Sequence, residues 1–186
     1  MRLVTVHATI SAPREEVFDL VADLSLRRAW CDHYQRDYRL ARANPRGEGA
    51  AARFRLNLPF AHEWAQIEIK KADRPRRIVE EGGFGRRGRS KLVSVYDFLP
   101  ESGGTTRVEL TTFSEPGTVV DRIKHIASTG RMRRWSKKGL ERLRNILEEG
   151  HEGELVRTTV AGYDPGKAPR FGDHIQAAHG VAGADR

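Results

Sequence analysis

Cysteine is nearly absent from these 186 residues: Cys31 stands alone, which excludes an intramolecular disulfide and a multi-cysteine zinc site. Long hydrophobic runs are missing as well. No stretch is apolar enough to span a bilayer, and the start, Met1-Arg2-Leu3-Val4-Thr5-Val6-His7 followed by Arg14-Glu15-Glu16, lacks the apolar core of a signal peptide. With no disulfide framework, a reducing cytoplasm is the expected setting. Acidic residues are too few to balance the basic ones, 25 against 33, leaving a formal net charge of +8. That excess attracts any polyanion weakly. The interspersed signs favour a solvated, arginine-rich surface over a dedicated nucleic-acid face.

What is present is periodicity. Val4, Val6, Ala8 and Ile10 alternate with Thr5, His7 and Thr9, the pattern of a half-buried strand. Ser11-Ala12-Pro13-Arg14-Glu15-Glu16 predicts a helix start with Ser11 as N-cap, and a second short helix is expected over Leu26 to His33, carrying Trp30. Period-two segments then recur at Asp37–Ala43, Ala50–Leu58, Glu63–Ala72, Arg77–Glu81, Ser90–Leu99 and Thr106–Ser114, separated by Gly-, Pro- and Asn-rich turns. Short connections make them an antiparallel meander. Thr118 to Glu149 has helical spacing, with an interruption at Ser128-Thr129-Gly130 where a kink is expected. Residues 1–149 thus form one domain. Residues 150–186 read as a flexible Gly/Ala/Pro-rich tail, dispensable for folding, in which Leu155–Val160 has the composition of a short strand or clip. The fold class is α+β, a helix-grip: a curved seven-stranded antiparallel sheet wrapped around a long C-terminal helix, with two short helices after the first strand. Seven strands around one helix are expected to leave a cavity.

Several local phrases resemble the START-like (SRPBCC) superfamily, which groups lipid-transfer START domains, pollen-allergen-type proteins and bacterial polyketide cyclase/dehydrase families. The carrying residues are Ile10-Ser11-Ala12-Pro13-Arg14-Glu15-Glu16-Val17-Phe18-Asp19-Leu20-Val21-Ala22-Asp23 with Trp30, then Gly103-Gly104-Thr105-Thr106-Arg107-Val108, and the Arg134-Trp135 to Leu140 and Leu143 cadence. The resemblance covers residues 1 to about 149 and implies an internal cavity for a sterol, lipid, polyketide or similar molecule. Fold alone does not assign function.

Motifs that suggest other chemistry fail on context. Gly83-Phe84-Gly85-Arg86-Arg87-Gly88 satisfies a dinucleotide fingerprint, but the following residues read as a strand rather than a helix. His62-Glu63 lacks the second histidine of a zinc motif, so no metal or cofactor is expected. Alternation along the strands, with Trp30 of the second short helix beside it, instead points to a wall: Trp30, Phe54, Leu56, Trp64, Leu92, Ser94, Tyr96, Val108 and Leu110 are candidate ligand-binding residues, competing with a plain core-filling role. In the fourth strand, alternation leaves open whether Trp64, Gln66 and Glu68 or Ala65, Ile67 and Ile69 face inward. Three functions follow: carriage of a small apolar molecule; a cyclase/dehydrase-type enzyme drawing on His7, His62, Glu80 or Tyr96 for proton transfer; and a basic-helix module at an anionic membrane or nucleic acid, with Trp135 as anchor. The expected partner is a small apolar ligand, with weak membrane contact and no specific nucleic acid.

Overall fold

The computed structural model describes residues 2–58, 61–85, 90–115, 119–150 and 155–160, with the side chains at 2, 58, 61, 62 and 119–128 outside that description. Seven strands build one antiparallel sheet: β1 (Arg2–Ile10), β2 (Gln35–Leu40), β3 (Ala51–Leu58), β4 (Ala61–Asp73), β5 (Arg77–Phe84), β6 (Ser90–Pro100) and β7 (Thr106–Glu115). Their spatial order is β1-β7-β6-β5-β4-β3-β2, so the meander from β2 to β7 runs neighbour to neighbour and β1 closes against the last strand. After β1 come α1 (Arg14–Ala22), a single tight turn at Leu24–Leu26 and the short α2 (Arg28–Cys31). The long α3 (Val119–Glu148) packs over β1 and α2. This is the expected helix-grip fold.

Alternation works as anticipated on the sheet's inner face, where Val6, Phe54, Ile78, Tyr96, Phe98 and Val108 are all buried. The ambiguity in β4 resolves: Ala65, Ile67 and Ile69 face the core, and Trp64 points outward with 39 % of its surface exposed. Aromatic rings fill much of the interior. Phe18 meets Phe98 edge-on at 5.3 Å, and Tyr38 stacks on Phe54 at 5.9 Å. Gly82 is required by the close approach of β4 to β5, because a Cβ there would lie 1.9 Å from the carbonyl oxygen of Gln66.

Several local expectations need correction. Ser11 does not cap α1. Pro13 holds that position and its carbonyl accepts from the Glu16 and Val17 amides, while the Ser11 amide donates to Glu148 at 2.7 Å. The second helix shrinks to four residues, because Asp23 accepts from the Ser25 amide and bends the chain into a tight turn first. β2 starts at Gln35 and ends at Leu40, earlier than the periodicity suggested. Its alternation is broken at Asp37, whose φ is +49° and where the register with β3 shifts. α3 runs unbroken through Gly130. A single glycine costs a helix only ~1 kcal/mol, less than the packing of Leu140 and Leu143 behind it returns.

The segment Leu155–Val160 lies against the domain. The Thr158 amide donates to the Ser25 carbonyl at 2.8 Å, and the Leu40 amide donates to the Thr159 carbonyl at 3.1 Å, satisfying part of the β2 edge. Arg157 reaches the buried Asp23 carboxylate at 2.6 Å. Residues 161–186 of the expected tail lie outside the described residues.

Candidate functional site

Among the described residues the inner face carries one buried acid, Glu80, on β5 between Ile78 and Gly82, opposite Ile69 of β4 and Ser94 of β6. Sheet alternation alone sends its side chain into the core. An uncompensated carboxylate there would be prohibitive, and Arg27, delivered by the turn after Leu24–Leu26, meets it. Their ion pair is sealed, with side-chain exposures of 1 % and 4 %. Arg27 also donates from Nη1 to the Tyr96 hydroxyl at 2.8 Å and from Nη2 to the Val21 carbonyl at 3.3 Å. Its guanidinium sits 4.5 Å above the Trp30 ring, and Trp30 meets Tyr96 edge-on at 6.5 Å. Burial works against the Arg27 charge, but the facing Glu80 outweighs it, so its pKa lies well above the ordinary arginine value. Burial likewise raises Tyr96, Tyr38 and Tyr34, keeping all three hydroxyls protonated. Cys31, beside this cluster, is pushed up to about 12 by burial, so it is an inert thiol.

Above the cluster lies a cavity of about 50 Å³ between the inner face of the sheet and α3. Phe54, Leu56, Leu92 and Leu110 supply apolar wall from the sheet, and Met132 and Ser136 close it from the helix. Arg27, Gln35, Glu80, Ser94, Tyr96 and Thr112 supply its polar atoms. Two of these lack a protein partner among the described residues: Arg27 Nε, a donor, and Gln35 Oε1, an acceptor, both buried. The volume accommodates a water or two rather than a lipid.

Of the sequence-derived wall residues, the structure brings together Phe54, Leu56, Leu92, Ser94, Tyr96 and Leu110. Trp30 stands one layer behind them, packed on Arg27 and Tyr96. Val108 is buried farther along β7, opposite Phe98, and does not reach the cavity. Trp64 is on the outer face, because the inward positions of β4 belong to Ala65 and Ile67. Among the proton-transfer candidates, Glu80 and Tyr96 converge; His7 is exposed on the outer face of β1, opposite Glu109. The His62 side chain lies outside the described residues. Trp135 is stacked on Tyr34 at 5.3 Å and its carbonyl lies 3.1 Å from His33 Nε2, so it serves the packing of α3 rather than projecting from it. Arg27 and Gln35 carry the site's polarity yet look unremarkable in sequence, one within Arg27-Arg28 and the other beside Arg36.

A second concavity, an open groove of about 900 Å³, lies between α1, the loop at 44–48 and the end of α3. Its floor includes Phe18, Leu20 and Ile146. Four of its lining charges already satisfy one another: Asp19 pairs with Arg74 at 2.8 Å, and Asp23 with Arg46 at 2.7 Å. Size favours the groove. Unpaired buried polar atoms favour the inner cavity, and these are what a specific ligand needs.

Residues 1–148 match the family described as polyketide cyclase / dehydrase and lipid transport, and the chain belongs to that family. Solved structures share the fold. One from Thermus thermophilus superposes with a TM-score of 0.64 at 18% identity, covering 81% of this chain and all, 100%, of that one. The KanY protein gives 0.63 at 21% identity, covering 80% of this chain and 99% of its own. A Mycobacterium smegmatis protein gives 0.58 at 16% identity, with 81% and 93% covered. No curated protein matches the sequence.

Proposed function

We propose that the chain binds a small, largely apolar molecule bearing an oxygen function, held in the inner cavity with that oxygen toward Arg27 and Gln35. The observation that carries this reading is the pair of unpartnered buried polar atoms, Arg27 Nε and Gln35 Oε1, on residues that line the cavity together with the apolar Phe54, Leu56, Leu92 and Leu110. A ligand with neighbouring acceptor and donor groups, such as a hydroxy-carbonyl or a phenol, satisfies both and removes a desolvation penalty of about 1–3 kcal/mol for each. A molecule larger than a few atoms must displace the wall, and Met132, unbranched and adaptable, is the side chain suited to yield. A cytoplasmic setting agrees with the reduced, buried Cys31.

A second reading, turnover of a polyketide-like substrate, draws on Tyr96 and Arg27. The Tyr96 hydroxyl accepts from Arg27, which orients its own proton elsewhere, and the two donors at one end of the cavity suit a developing enolate oxygen.

Uptake of an apolar fluorescent probe, an aminonaphthalene sulfonate or a labelled fatty acid, tests the first reading. Wild type is expected to bind it with a negative heat-capacity change. Ser136→Val, which adds about the volume the cavity holds from the helix side, is expected to abolish uptake while leaving the fold intact. Equal probe binding by both proteins defeats the assignment to this cavity.

A further inference from the structure

The outer surface of the same strands carries a concentration of charge that the cavity does not use. In β2 the register shift at Asp37 inserts one extra residue, so Arg36 and Arg39, an odd number of positions apart, both face outward. Asp37 adopts φ +49°, a left-handed conformation that a non-glycine residue holds only at a cost. The result sets Arg36 directly opposite Arg55 and Arg39 directly opposite Arg53 on β3. Two facing pairs of like charge are destabilising in a sheet. One acid, Asp37, offsets them among the described residues, bonding Arg55 at 2.8 Å. On β4, Trp64 lies opposite Arg55, and the Arg53 guanidinium sits 4.8 Å over its ring. The bulge itself is offset by turning Tyr38 and Leu40 into the core, but that gain requires no arginines facing one another on the outer surface.

We propose that Arg36, Arg39, Arg53, Arg55 and Trp64 form a docking face for an anionic phospholipid membrane. Charge complementarity selects a polyanionic surface. A single half-exposed indole among guanidinium groups suits the headgroup interface, where tryptophan anchors proteins. A strand of nucleic acid instead calls for successive stacking platforms, and the patch has one aromatic ring among its described residues. The position also fits. Arg55 lies between Phe54 and Leu56, and Trp64 precedes Ala65, all three of which line the cavity on the opposite face. A docked molecule therefore holds its cavity next to the bilayer that would supply or receive an apolar ligand. That purpose rests on the ligand-binding reading; docking itself does not.

Co-sedimentation with phosphatidylcholine vesicles containing about one-third phosphatidylserine tests the face. Wild type is expected to bind these and not pure phosphatidylcholine, with affinity falling as salt rises. Each arginine removed should cost about fivefold, so Arg36→Gln with Arg39→Gln together should lose about twenty-five-fold. The same double variant should melt no lower than wild type, because cross-strand repulsion is relieved. Trp64→Phe should remove the vesicle-induced blue shift of tryptophan emission, although Trp30 and Trp135 remain. Absence of binding to anionic vesicles, or unchanged binding by the arginine variant, overturns the proposal. Single-stranded RNA that competes the protein off vesicles at lower concentration also overturns it and assigns the face to nucleic acid. Probe uptake without vesicles reports on the cavity separately and should be unaffected by the arginine substitutions.

Discussion

Two buried acids, Asp23 and Glu80, each meet arginine, and the two arrangements differ in what they leave unfinished. Asp23 is 1% exposed, yet its partners Arg46 and Arg157 come from the surface and stay largely solvated. The Ser25 amide and hydroxyl complete its coordination at 3.0 and 2.5 Å. Every bond at that joint connects chain to chain: the turn after α1, the loop at Arg46 and the strap at Arg157. The Glu80 cluster is sealed from water on both sides of its ion pair, and it retains an unpaired donor at Arg27 Nε facing a cavity. A saturated buried charge fastens a fold. An unsaturated one next to a void is built for something that arrives later.

The sharpest way to break this comparison is to remove the Glu80 carboxylate. Glu80→Gln strands a buried guanidinium and is expected to cost roughly 3–5 kcal/mol, measured by urea unfolding. Replacing both partners, Arg27→Met with Glu80→Leu, should recover most of that stability while ligand uptake stays lost. Recovery of both together would make the pair a purely structural element.

Asp23→Asn should cost less, about 1–3 kcal/mol, because its arginines can return to solvent. Burial opposes the Asp23 charge, but its hydrogen bonds from Ser25, Arg46 and Arg157 prevail, and the carboxyl lies below its ordinary value. Its contribution is therefore fully present above the ordinary carboxylate range. It is lost as the pH falls from about 4 through the depressed folded value. The acid limb of the stability profile should be shallower in the variant, and an identical limb would remove Asp23 as its cause. Probe uptake should be unchanged at neutral pH.

The smallest effect concerns the strap. Deleting residues 151–186 removes Arg157 from Asp23 and two backbone hydrogen bonds to Ser25 and Leu40. A loss of about 1–2 kcal/mol corresponds to a melting temperature lower by about 2–8 °C for a chain of this length. The composition of the segment alone argues for no change. An unaltered melting curve would return Leu155–Val160 to the status of a passive tail.

Much of the scaffold was legible because it rests on period two. Phe54, Leu56, Leu92, Ser94, Tyr96 and Leu110 share one face by alternation alone and lie together on the inner side of the sheet, and Glu80 was visible as an acid in phase with Ile78. What escaped was whatever depends on an irregularity. Arg27 reaches the core because Asp23 caps a tight turn, and Arg36 and Arg39 share a face because one residue is inserted between them. Neither event leaves a periodic trace. A buried inward acid does imply a cation, and Arg27 and Arg28, both between Leu26 and Trp30, are the arginines set among the apolar residues of their segment. The order of the residues therefore contains a hint of the Arg27–Glu80 pair, one that pattern alone does not raise. The interruption at Gly130 misled for the opposite reason, since a local propensity was outweighed by distant packing.

The strand order β1-β7-β6-β5-β4-β3-β2 also dictates when this molecule can exist. During synthesis β1 emerges first, but its partner β7 is completed only at Glu115, and its cover, α3, only at Glu148. The hairpins from β2 to β7 can zip locally as they appear, whereas β1 must wait, its apolar Val4, Val6 and Ile10 unprotected, for more than half the chain. Such long-range closure places folding on the slow, millisecond-to-second side of single-domain kinetics. At about 5–20 residues per second on the ribosome, the first strand spends about 5–20 seconds as a sticky, unpaired segment before β7 is complete. Its alternating threonines and His7, useless to the cavity, keep that waiting strand half polar and so guard the nascent chain against aggregation.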